Sequence, residues 1–136
     1  MQDNNTTNNN NNNNNGWEIS WLDKPKKHNY KDARNYLRLV YTDRTTNKLI
    51  DKLEDADVEG FIARDLARAA KMYHIIGDIR PAVERISTYI QEGKPIAPVL
   101  LVRQPNNGKL VIADGYHRIA AIFLLDPYST ICAKIV

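Results

Sequence analysis

The stretch Leu110-Val111-Ile112-Ala113-Asp114-Gly115-Tyr116-His117-Arg118-Ile119-Ala120-Ala121-Ile122-Phe123-Leu124-Leu125 constrains this chain more than any other. It predicts a buried strand from Leu110 to Ala113, a tight turn at Asp114-Gly115, and an apolar helix ending at Asp126-Pro127. From Ile119 to Leu125 no side chain is polar, so the helix is expected to be buried nearly all round. Asp114, Tyr116, His117 and Arg118 do not fit that packing pattern. They fall where a helix begins, beside N–H groups without intrahelical partners and the positive end of the dipole. A strand, a glycine turn and a helix start carrying His and Arg suit an anion, so a phosphate site is expected here.

The remainder supplies the rest of one domain. With 136 residues the chain can bury one core but not comfortably two. The first sixteen residues, dominated by the Asn8–Asn15 run, have nothing to bury and are expected to be a disordered tail. Residues 17–56 read as an N-terminal helical extension. There Trp17, Ile19, Trp21 and Leu22 form an extended arm, followed by one helix from about Lys31 to Tyr41 and a second from about Arg44 to Leu53. Asn29 is the expected cap of the first, with Ala33, Tyr36, Leu37 and Val40 as its stripe, and Thr42 or Asp43 the cap of the second. The basic cluster Lys24–His28 reads as a solvated linker, with a contact to nucleic acid or an acidic partner as its second reading.

Residues 57–136 carry the main fold. Val58–Ala63 suits a short strand, and Asp65–Met72 suits either a helical turn or an extended segment; if helical, Arg64, Arg68 and Lys71 share a face. Ile79–Glu92 is a helix with Asp78 as cap, Pro81 in its first turn, Gly93 as its stop, and Ile79, Val83, Ile86 and Ile90 as its buried stripe. Asn107-Gly108 predicts a hairpin pairing Val99–Arg103 with Lys109–Ala113, and Ile131–Val136 is the last strand. The result is a compact mixed α/β (α+β) domain with a small mixed sheet.

A net charge of +3 permits, without demanding, a phosphorylated or nucleic-acid ligand. No apolar run is long enough to span a membrane, and the single cysteine, Cys132, fits a reducing compartment, so a cytoplasmic location is expected.

The run Pro98–Val102, the hairpin, Asp114-Gly115-Tyr116-His117-Arg118-Ile119-Ala120-Ala121 and the closing strand resemble the ParB/sulfiredoxin superfamily over roughly Phe61–Val136. The resemblance implies nucleoside triphosphate binding at the turn before the helix, with branches acting as CTP-dependent partitioning switches, ATP-dependent sulfinic acid reductases, serine kinases or nucleases. Sulfiredoxins carry their catalytic cysteine immediately before the His-Arg pair; here Tyr116 stands there, so that chemistry is not expected. No helix-turn-helix follows the last strand, so specific DNA reading by that route is not expected either.

The expected ligand is therefore a nucleoside triphosphate, ATP or CTP, with Mg²⁺. Gly115, Tyr116, His117 and Arg118 are the core of the site, with Arg85 and Arg68 as further phosphate contacts and Arg80, Asp65 and His74 as weaker candidates. Gly115 serves either a turn or close phosphate approach. Arg118 offers a donor fork to phosphate or to a carboxylate. His117 is a structural hydrogen bonder or an acid/base. Asp114 caps the helix, holds Mg²⁺, or takes a proton from a hydroxyl nucleophile. Two functions suit these residues: an NTPase or phosphotransferase with Asp114 and His117 as catalytic residues, or a non-catalytic nucleotide-responsive module. The module would meet a protein through the N-terminal helices, or a nucleic acid. A ParB-like nuclease is a third possibility.

Overall fold

The strand Val99–Gln104 (β2) is apolar on both sides, and the structure shows why. Val99 and Leu101 enter one core cluster while Leu100 and Val102 enter another, so the sheet needs a covering layer on each face. In this computed structural model, which describes residues 18–72 and 79–136, helices supply both layers. Trp17, His74, Asp78 and the Asn-rich tail lie outside the described residues.

The described elements are α1 (Lys27–Val40), α2 (Asp43–Asp55), β1 (Glu59–Ile62), α3 (Ala63–Ala69), α4 (Arg80–Gln91), β2, β3 (Lys109–Asp114), α5 (Tyr116–Leu125) and β4 (Thr130–Ile135). The four strands lie in the order β1-β4-β2-β3. β4 pairs antiparallel with β1 and parallel with β2, and β2 and β3 form the antiparallel hairpin. This is the expected compact α/β domain with a small mixed sheet. Among the described residues no helix is long and apolar enough to cross a membrane.

The N-terminal helices are a layer of the fold rather than an extension ahead of it. Ala33 and Leu37 of α1 and Ile50 and Leu53 of α2 pack with Leu100, Val102, Val111 and Ala113 of the sheet. Buried Lys134 of β4 ties them further, donating to the Glu54 carbonyl at 3.0 Å with its ammonium over the Tyr30 ring. A cation at the C-terminal turn of α2 also meets the negative end of that helix. The sequence arm Ile19–Leu22 docks as expected, with Trp21 buried and bridged to Ile96.

Several boundaries move for local reasons. α1 starts at Lys27, four residues before the expected Lys31, so Asn29 is not its cap but lies inside its first turn. There the Asn29 Oδ1 accepts from the Lys26 backbone N–H at 2.8 Å. Only half of the expected α1 stripe is buried; Tyr36 and Val40 are exposed. Thr42 is the cap of α2, accepting from the Thr45 N–H. The ambiguous segment is helix α3, but Lys71 lies beyond its end with a positive φ, so it does not continue the Arg64–Arg68 face. Of the expected α4 stripe only Ile90 is buried, Ile79, Val83 and Ile86 being half-buried, while Ala82, outside that stripe, is buried. α5 buries Ile119–Ile122 but leaves Leu124 57% exposed, so it is not covered all round.

Cys132 is a packing residue. It is buried, and burial pushes its thiol up to about 11, which leaves it neutral at physiological pH.

Candidate functional site

Three devices build the turn after β3. First, the β2–β3 register slips near its end: Leu101 faces Ile112 but Leu100 faces Asp114, leaving Ala113 as an extra residue. Such a bulge bends the strand and re-aims the residues beyond it. Second, Gly115 takes φ 112°, a left-handed conformation, and stands at the cap position of α5. Third, its Cα lies close against β2: a Cβ there would meet Val99 Cγ1 at 2.4 Å and Val99 Cβ at 2.7 Å. The close approach that demands glycine is thus to Val99.

Asp114 does not cap the helix. Its Oδ2 accepts from an Arg118 terminal nitrogen at 2.8 Å, one helical turn on, with the two side chains only 15% and 17% exposed. The cap position, filled by glycine, has no side chain to offer the first N–H groups of α5. Burial pushes the Asp114 carboxyl above its ordinary value; Arg118, with help from Asn29, pulls against that, and Asp32 adds to the rise. Arg118 is therefore first a strut for the elbow. Its Nε is buried with no hydrogen-bond partner.

The elbow opens into a hollow of about 500 Å³. On one side stand Gly115–Arg118, with the Tyr116 and His117 rings edge to face at 5.7 Å. Across it lie Arg85, Ile86 and Tyr89 of α4, and Lys26, His28 and Asn29 at the start of α1. Pro95, Ile96 and Ala97 give it an apolar wall. Five of the six residues expected to contact phosphate (Gly115, Tyr116, His117, Arg118 and Arg85) thus meet at one place. Arg68 does not line it; exposed on α3, it lies 3.9 Å from Asp65, its partner at i,i+3. Arg80 at the start of α4 is likewise not among the lining residues.

Sequence reasoning missed Lys26, His28 and Tyr89. The signal was present in the basic cluster Lys24–His28, whose charges suggest a solvated linker. Instead Pro25 is buried, α1 begins at Lys27, and the cluster forms the far wall of the hollow.

The charge balance rests on these contacts. Among the described residues Asp114 is the only carboxylate lining the hollow, and Arg118 already engages it. Lys26 and Arg85, both exposed and without an ion pair among the described residues, carry the surplus positive charge. Metal is a poorer fit. Among the described residues no group of three or more His, Cys, Asp or Glu is placed to hold an ion. A lone carboxylate held by a guanidinium is a weak start for a Mg²⁺ site, which prefers octahedral oxygen ligation.

No protein-family model, no curated protein and no solved structure matches this chain.

Proposed function

We propose that the hollow over the Gly115 elbow binds the phosphates of a nucleotide, and that the protein is a nucleotide-responsive binding module. One observation carries the reading: Lys26 and Arg85, two cations without an ion pair among the described residues, face the N-terminus of an apolar helix across a shared cavity. Anions at helix starts gain from free N–H groups and from the dipole together. The apolar wall at Pro95–Ala97 and the Tyr89 ring offer a nucleoside something to pack on, which bare phosphate would not use.

Magnitudes bound the affinity. A helix terminus contributes about 0.3–1 kcal/mol and each charge-assisted contact about 1.5–3. One terminus and two cations give roughly 3–7 kcal/mol, or a Kd between about 10 µM and a few mM. That is enough for an abundant triphosphate such as ATP or CTP.

Binding without turnover is favoured over hydrolysis or phosphoryl transfer because Asp114, the carboxylate such chemistry needs, is engaged by Arg118. No step through Mg²⁺ is derived from these residues. Titration calorimetry with ATP, CTP, GTP and pyrophosphate, each with and without Mg²⁺, tests the reading. Saturable heat is expected with at least one of them, weakened about tenfold in Arg85→Ala, the loss of one charge-assisted contact. Phosphate release is expected to stay at the background rate. Silence with all four ligands overturns the site. Turnover that disappears in Asp114→Asn, with binding kept, overturns the non-catalytic reading.

A further inference from the structure

β3 is the last strand of the sheet on its side: β2 pairs with one flank, and among the described residues no strand pairs with the other. An edge strand presents alternate N–H and C=O groups outward. Every β3 residue from Lys109 to Asp114 lines a second hollow, of about 650 Å³. An open sheet face would show only alternate residues; consecutive ones line a cavity when the strand's edge is open. The side chains themselves are committed elsewhere. Leu110 packs with the α3–α5 layer, and Val111 and Ala113 pack with α1 and α2. Apart from the exposed Lys109 side chain, what β3 offers this groove is main chain.

We propose that the β3 edge accepts an extended acidic segment of a partner protein as a further strand of the sheet. The groove's walls are Tyr36 and Val40 of α1 on one side and Ala70–Met72 on the other, which give alternate side chains of an added strand apolar contact. Tyr36 and Val40 are 46% and 41% exposed, although α1 turns its other face into the core. Charge sets the sign of the guest. Among the described residues, Lys71 and Lys109 are exposed and have no ion pair, and the one carboxylate lining the groove, Asp114, is held by Arg118.

The shape decides between occupants. β3 is recessed between α1 and the Ala70–Met72 segment, so a bare strand reaches it. The same edge of a second copy, walled by its own helix, does not. A polynucleotide would meet the lysines, but its phosphates would face the outward carbonyls of β3 and leave the N–H ladder largely unused.

A fluorescein-labelled synthetic peptide of about eight residues, alternating valine and glutamate, tests this by anisotropy on the full chain. Binding is expected, and the lysines should make it weaken with salt. N-methylation of alternate peptide amides separates a main-chain ladder from a simple charge contact. One of the two alternating sets is expected to reduce affinity at least about tenfold, the other to have little effect. Lys109→Glu is expected to shift preference to the valine–lysine counterpart. Binding should persist in Arg85→Ala, so the result stands apart from the nucleotide reading. Four outcomes overturn the proposal: no binding, equal loss with both methylation sets, binding of an oligothymidylate in place of the peptide, or a concentration-dependent dimer that excludes it.

Discussion

Replacing Gly115 by alanine is expected to cost about 2–5 kcal/mol of folding stability, on the order of half the total for a domain of this size. Two independent penalties combine. A residue with a Cβ held at φ 112° pays a left-handed backbone cost of about 1–2 kcal/mol. The Cβ itself would sit 2.4 Å from Val99 Cγ1, and overpacking a tight interior typically costs about 1–3 kcal/mol. Neither is easily relieved, because Val99 is fully buried in the central strand β2. Adding Val99→Ala removes the Cγ1 contact but leaves Val99 Cβ 2.7 Å away, so it should restore only part of the loss. Urea unfolding of the three variants measures this. A Gly115→Ala protein within about 1 kcal/mol of the parent would show that the elbow is not clamped against β2.

The second large effect is expected at Arg118. Arg118→Met leaves Asp114 buried without its guanidinium, which should cost about 2–4 kcal/mol at neutral pH. The cost has a pH signature. Burial already lifts the Asp114 carboxyl above its ordinary 3.8, and removing Arg118 deletes the two influences that pull it down most. A carboxyl with a raised folded-state pKa contributes its stability fully below the unfolded value and loses it as pH rises through the folded value. The deficit of Arg118→Met should therefore be small near pH 4 and grow toward neutrality. Asp114→Asn combined with Arg118→Met should be less sensitive to pH and less destabilised than the single Arg118 variant at pH 7. A deficit independent of pH would show that the carboxylate is not buried against Arg118. Because stability and site share this pair, Arg85 is the better residue for probing ligand contact.

These two residues also show where sequence reading succeeded and where it stopped. The elbow was legible because its features are local: a strand pattern, a residue needing positive φ, and an apolar helix. The hairpin and the α4 stop at Gly93 were legible for the same reason. The partner of Arg118 was not settled, since phosphate and carboxylate both suit a guanidinium and only packing places Asp114 one turn away. The opposite wall was missed because Lys26 and His28 are far from Gly115 in sequence, and their cluster looks like any solvated charge run. Likewise α1 and α2 gave helix patterns but no sign of their destination. That emerged only once β2 proved buried on both faces and needed a second layer. Tyr36 and Val40, which keep the helical spacing of a core stripe, instead border an open strand edge.

The central claim is that phosphate oxygens settle on the first N–H groups of α5. Backbone amide NMR during titration with ATP and with pyrophosphate tests it most directly. Saturable shifts are expected at Gly115, Tyr116, His117 and Arg118, accompanied by Lys26 and Arg85 across the hollow, with β1 on the far side of the sheet unmoved. Saturable shifts centred elsewhere, or an unmoved Gly115–Arg118 segment at ligand concentrations well above about 4 mM, the weak end of the expected range, would contradict it.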